Sequence, residues 1–375
     1  MKKLLVTACA AVASLSMVAN PVFAASIADL HHWTPVYVTG RGVPTNSLQL
    51  QALQAAGKAL PTWTSSIKSP LDKNTYNFTI VGTNPQTSKA STKVSYVPIV
   101  LVLKFPGGVT LDPTKPGCSD TVSVEDRFYE GPNFVPVPLK SNGISVGPAT
   151  VDDGFQRAEF WKYTQGTGYH LDLKAAAKVR VITMNAPSGS TTQAGVCSGS
   201  SHDIGEIDIN SFDSMVQAID KKYATPNELP LVLTYNVFET EGGCCILGYH
   251  STYAAAGGGT QVYAVGAYND AGIFSVPIED IHAWTHEIGE AMNDPYINNA
   301  TPAWGHVGQV SGCQNNFEVG DPLTGTPFAL TYKGFAYHPQ ELAFFSWFYR
   351  QKPSIGTGGK YSFEGTFTSA QGACN

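Results

Sequence analysis

The sequence predicts an α+β fold, a β-rich body with one buried helix that carries metal-ligating residues and packs across a sheet. Three observations lead there. Glycine (37) and proline (24) are abundant, which implies many turns. Several Val-, Ile- and Leu-rich runs have strand length and turn residues at their ends. One longer stretch, ending at Asn293-Asp294-Pro295, has helical spacing instead. With 375 residues, 43% of them hydrophobic and 14% charged, the chain suits one large domain or two interlocked ones.

Along the chain, Met1-Lys2-Lys3, an apolar small-residue run to Met17 and then Pro21-Val22-Phe23-Ala24 read as a secretory signal peptide over residues 1–24. The mature chain is therefore expected outside the cytoplasm, periplasmic or extracellular. No later apolar run has the length of a membrane span. Residues 25–93, rich in Ser, Thr, Pro, Gln and Lys, are expected to be an extended or partly disordered N-terminal region, with a short helix over 48–60. Residues 94–228 form the β-rich first part of the globular domain and 229–375 the part with the metal site. Within them, 94–105 reads as a strand that Pro98 assigns to an edge or a bulge. Helices are expected over 152–163 and 209–223, and strands over 179–184, 229–238 and 261–267. The last helix is expected to start near Ser275-Val276-Pro277, where a capping serine and an early proline are favoured.

That helix contains Thr285-His286-Glu287-Ile288-Gly289-Glu290. His286 and Glu290 are four residues apart and share a helical face. Glu287 beside them is placed to act as the base that deprotonates a metal-bound water. The zinc-peptidase pattern is His-Glu-x-x-His; Glu290 in place of the second His gives a harder, oxygen-rich ligand set. Downstream, Phe317-Glu318-Val319-Gly320-Asp321-Pro322 offers Glu318 as the third ligand and Asp321 as the carboxylate that orients His286. The same string also suits a plain turn. Asp321, His250 and Asp294 are the alternative ligands. His282 extends the period-four ladder, but three consecutive turns of a straight helix point in diverging directions. His306, Tyr337 and His338 are candidate oxyanion stabilisers, and His31, His32, His170 and His202 read as structural or surface.

These residues carry a resemblance. His286-Glu287-Ile288-Gly289-Glu290-Ala291, Asn293-Asp294-Pro295, Trp304 and Glu318-Val319-Gly320-Asp321 together resemble the core pattern of the phosphate-induced, EXORDIUM-like extracellular proteins and their bacterial relatives. Gly248-Tyr249-His250-Ser251 and Tyr337-His338-Pro339-Gln340-Glu341-Leu342 are similar to further segments of that family. The resemblance covers roughly residues 230–350 and implies an extracellular, wall-associated setting. The motif itself resembles a zincin-type metallopeptidase, in which the helix crosses a sheet whose edge strand holds an extended peptide.

The function expected is an exported metal-dependent hydrolase, a peptidase acting on peptide or protein with a divalent metal, zinc first. The alternative is a non-catalytic extracellular protein with a structural cation such as calcium, for which Glu290, Asp294, Glu318 and Asp321 are suitable oxygen donors. A net charge of −6 without a basic run excludes a nucleic-acid footprint. Of the seven cysteines, Cys9 falls in the leader. Cys118, Cys197, Cys244, Cys245, Cys313 and Cys374 are expected as disulfides. Adjacent Cys244 and Cys245 are each expected to reach a distant partner, and a bridge at Cys313 to pin the segment bearing Glu318.

Overall fold

The computed structural model describes residues 47–118, 120–195, 197, 202–274 and 276–374. The leader, the first part of the lead-in and Ser275 lie outside them. Helix α1 (Ser47–Ala55) is followed by a hairpin of β1 (Thr62–Lys68) and β2 (Thr75–Val81). The expected extended or partly disordered region is thus folded over 47–81. Its apolar residues explain this: Phe78, Ile80 and Val81 are buried, and the Phe78 ring meets Phe345 at 4.8 Å between centroids.

A seven-stranded mixed sheet forms the body, and β3 (Ser91–Lys104) runs through it. On one side β3 pairs with β4 (His170–Ala175) as far as Tyr96, and with β5 (Arg180–Asn185) from Ile99. Pro98 therefore stands in a central strand, contrary to its expected edge or bulge position. It is tolerated because the ladder on that side is already broken between the two neighbours, where a missing N–H costs least. On the other side lies β6 (Glu228–Tyr235), parallel to β3. Antiparallel to each other, β7 (Gly248–Ala254) and β8 (Thr260–Tyr268) complete the order β7–β8–β6–β3. This one sheet draws strands from both sides of the expected 228/229 boundary.

Burial of both sheet faces explains the continuous apolar runs. Alternate residues of the strands serve opposite cores. Val232, Tyr263 and Val265 meet Phe212, Val216 and Ile219 of α3 (Ile209–Tyr223). Leu231, Leu233 and Ala264 meet Trp284, Ile288 and Met292 of α4 (His282–Asn293). Helix α2 (Val151–Glu159), expected over 152–163, ends early and is followed by a separate turn at Trp161–Thr164. Asp208 caps α3 by accepting from Ser211 N–H at 2.9 Å, so that helix starts where expected.

By contrast α4 starts at His282, several residues past the expected Ser275-Val276-Pro277. Asp280 is the cause. It sits at φ 47°, and its N–H donates to the Asn269 carbonyl at 2.8 Å. Its carboxylate also takes the His338 N–H at 2.8 Å. A residue held this way cannot be helical, so the first turn waits for Ile281. Where α4 crosses β8, a Cβ at Gly266 would stand 2.9 Å from the Trp284 ring, so only glycine admits the indole there.

One buried acid of α3 yields a test. Asp220 is fully buried and neither carboxylate oxygen has a hydrogen-bond partner. Burial, with Asp213 adding to it, pushes its carboxyl well above the ordinary aspartate value. A folded-state pKa raised above the unfolded one gives stability that is present below the unfolded value and lost as pH rises toward the folded value. Asp220→Asn should therefore raise the melting temperature at pH 7 by about 2 °C or more, and by less at pH 4. Equal shifts at both pH values would contradict the assignment.

Candidate metal centre

Helix α4 is buried over its whole length, so its polar side chains answer to one another rather than to water. His286 and Glu290, one turn apart, lie on one face, with His286 Nε2 3.0 Å from Glu290 Oε1. Two segments close over them. On β7, Gly248 and His250 alternate onto the helix side of the sheet, and a Cβ at Gly248 would come within 2.8 Å of Glu287 Cγ. In the downstream turn, a Cβ at Gly320 would stand 2.5 Å from the His286 ring. Both glycines let backbone approach where any side chain would push the motif aside.

Two groups of ligand-type atoms result, and they share one carboxylate. His286, Glu290 and Asp321 make the first; His250, Glu290 and Glu318 make the second. His286 Nε2 is 3.5 Å from Asp321 Oδ1. His250 Nδ1 is 3.5 Å from Glu290 Oε2 and 3.7 Å from Glu287 Oε2. Tetrahedral ligands about 2.1 Å from an ion stand about 3.4 Å from one another, so these separations suit atoms around a cation.

At each histidine the other ring nitrogen is already engaged. Gln340 Nε2 donates to the Gly320 carbonyl at 2.7 Å, which turns Gln340 Oε1 toward His286 Nδ1 at 3.2 Å and makes that nitrogen the donor. In the neutral ring His286 Nε2 is then a bare lone pair. It is buried and forms no hydrogen bond, because the carboxylate 3.0 Å away is not aligned for one. His250 repeats the pattern. Its Nε2 lies 3.3 Å from the Asp294 carbonyl oxygen, which can only accept, so Nδ1 faces the carboxylates. Ligating histidines are oriented in this manner.

Charge makes the same demand. Burial pushes the Glu318 carboxyl well above its ordinary range, raises Glu287 and Asp321, and lifts Asp294 to about 7. Burial also acts to raise Glu290, but His286 and then His250 outweigh it and hold that group below its ordinary value. For the two imidazoles burial acts downward, yet the carboxylates around them hold both well above the usual histidine value. Carboxylates this deep need positive charge beside them. Protons on the imidazoles supply some, and a divalent ion, if bound, would displace those protons and supply more. The nitrogen and carboxylate donors fit zinc, and the oxygen-rich balance suits harder ions as well.

The fold thus gathers most of the expected site residues and rearranges them. Glu318 does not join His286; it belongs with His250, since the chain turns at Gly320 and sends Glu318 and Asp321 to different sides of Glu290. Asp321, expected to orient His286 or to serve as an alternative ligand, faces the Nε2 of that ring directly. Gln340 does the orienting. His250 lies on strand β7. Asp294 is in neither group, because its carboxylate accepts from the N–H groups of Asn298 and Asn299. His282 is also outside: its Nε2 accepts from Gly325 N–H at 3.4 Å, and burial with His286 lowers its pKa to about 3. None of the oxyanion candidates faces the cluster. Tyr337 donates to the Arg127 carbonyl, His338 pairs with Asp280, and His306 lies beside the Cys313 sulfur. Sequence reasoning also missed the glutamines around Asp321: Gln314 donates to its Oδ2 at 2.8 Å and Gln309 to its Oδ1.

Cys118 pairs with Cys197, and Cys313 with Cys374, at Cα separations of 6.0 and 5.9 Å. The second pair ties the chain end to the strand Val310–Asn316 that leads to Glu318. Asn316 Nδ2 then donates to Glu318 Oε1 at 3.1 Å. Cys244 and Cys245 pair with each other rather than with distant partners, since the other four cysteines are taken by one another. Cys245 and Leu247, with His286, Glu287, Gln309 and Gln340, line a cavity of about 30 Å³ beside the cluster. That is room for a water molecule.

No protein-family model, curated protein or solved structure matches this chain. The geometry therefore carries the functional argument alone. It also generates a test at Gly320, whose φ of −84° any residue can adopt, so that a substitution there acts through contact only. Gly320→Ala should drive a methyl group into the His286 ring, cost about 1–3 kcal/mol of stability and weaken zinc binding about 10–100-fold. Unchanged zinc affinity measured by competition with a chelating dye would show that the turn does not position His286.

Proposed function

We propose that this chain is an exported metal-dependent hydrolase acting on peptide or protein. His286, Glu290 and Asp321 would hold the ion, and Glu287 would be the general base. One observation carries the reading: the buried Nε2 of His286, set between two carboxylates with no aligned hydrogen bond, next to a water-sized cavity that Glu287 also lines. The ion's contribution in such a site is to polarise the scissile carbonyl and acidify a water. Glu287 would take a proton from such a water, and its burial would keep that proton available for the leaving amine. Two carboxylates in the ligand set add negative charge, which makes the ion a weaker Lewis acid than in a histidine-rich site and favours activity at higher pH. The leader expected over residues 1–24 and the cysteine pairs support an oxidising compartment outside the cytoplasm.

A second reading is a structural cation, zinc or calcium, in a non-catalytic extracellular protein of the kind the EXORDIUM-like resemblance implies. The closed surroundings favour it: Gly248–Tyr253 of the edge strand β7 are buried, and the cavity of about 30 Å³ admits no peptide as it stands. The two readings differ at Glu287, which a structural site does not need. Glu287→Gln should lower turnover of a mixed peptide pool by at least about 100-fold and leave metal content, read by elemental analysis, unchanged. Loss of metal together with turnover would make Glu287 a ligand. Wild-type protein that keeps its metal and cleaves nothing would establish the structural reading instead.

A further inference from the structure

We propose that the centre holds two divalent cations bridged by the Glu290 carboxylate, one at His286 Nε2, Glu290 Oε1 and Asp321 Oδ1, the other at His250 Nδ1, Glu290 Oε2 and Glu318. The inference rests on the single-ion reading above and extends it. Its first support is that the two ligand groups meet opposite oxygens of Glu290: Oε1 is the atom nearest His286, and Oε2 the atom nearest His250. A carboxylate spanning two ions holds them about 3.5–4 Å apart, the separation found in two-metal hydrolases.

The second support is that each half has its own oriented histidine. Gln340 fixes His286 from one side, and the Asp294 carbonyl fixes His250 from the other. The remaining nitrogen of each ring is thereby aimed at carboxylate oxygens, so that a proton or a cation must stand between them. A single ion at the His286 group leaves the buried His250, already oriented by the Asp294 carbonyl, with its Nδ1 3.5 and 3.7 Å from the Glu290 and Glu287 carboxylates and no cation between them.

Charge is the third support. Glu287, Glu290, Glu318 and Asp321 are all buried, and among the described residues their only ion-pair partners are His250 and His286. Glu318 forms no ion pair among the described residues; Asn316 holds one of its oxygens. No lysine or arginine is paired with any of the four among the described residues, and the two ligand groups give each of two cations its own imidazole nitrogen and carboxylate oxygens.

Zinc and manganese are the probes. Full-length mature protein stripped with chelator, reloaded with Zn²⁺ and desalted should carry two zinc ions per chain by elemental analysis. His250→Ala and Glu318→Gln should each carry one, with far-UV circular dichroism unchanged, and Glu290→Gln should carry fewer than one. Wild type loaded with Mn²⁺ should give the broad electron paramagnetic resonance of an exchange-coupled pair, a readout that needs no variant to fold. One zinc per chain together with the six-line spectrum of isolated Mn²⁺ would overturn the pair and leave the single-ion reading standing. No bound metal would overturn both readings. Two ions retained in both His250→Ala and Glu318→Gln would overturn the second site assigned here.

Discussion

The burial of four carboxylates around two imidazoles is the constraint on which the rest of the site depends. A carboxylate removed from water is costly unless its charge is met nearby. Here Glu287, Glu290, Glu318 and Asp321 are buried with no lysine or arginine paired to them among the described residues. Imidazolium protons meet part of the demand. Nitrogens that sit close to carboxylates without hydrogen-bond alignment point to a cation as the better partner, because ligands are directed at an ion and not at one another.

The fold is arranged to keep that cluster both deep and fixed. The sheet presents one face to α4 through Leu231, Leu233 and Ala264, and the helix answers with Trp284, Ile288 and Met292, so the polar face of α4 has a single possible direction. Glycines at 248 and 320 bring β7 and the downstream turn within contact of Glu287 and His286. Gln340 arrives from the segment after the turn and sets the tautomer of His286. The Cys313–Cys374 pair holds the strand that leads to Glu318. Each device serves position rather than chemistry, which is how rigid sites are supported.

Local pattern made much of this readable from the residues. The β-rich α+β class, the helix at 209–223 and the strands around it follow from hydrophobic period and turn residues, both properties of neighbours in sequence. The pairing of His286 with Glu290 follows from helix geometry. What escaped was set by distant contacts. Pro98 could enter a central strand because two other strands leave a gap beside it. The start of α4 was decided by Asp280 through Asn269 and His338. Which carboxylate meets His286 was decided at Gly320, where a turn through Val319 and Gly320 separates Glu318 from Asp321; no spacing rule distinguishes them. Gln340 was visible in the sequence only as part of the segment Tyr337–Leu342, and its contact with His286 depends on a residue 54 positions away.

The central claim is that a divalent cation, and not protonation alone, keeps the buried cluster stable. Thermal unfolding of the metal-loaded protein at pH 7, with and without a strong chelator, tests it most directly. A ligand present at 100 to 1,000 times its dissociation constant contributes about 2.7–4.1 kcal/mol, so chelation should lower the melting temperature by about 4–6 °C, and added Zn²⁺ should restore it. A melting temperature indifferent to both chelator and Zn²⁺ would contradict the account.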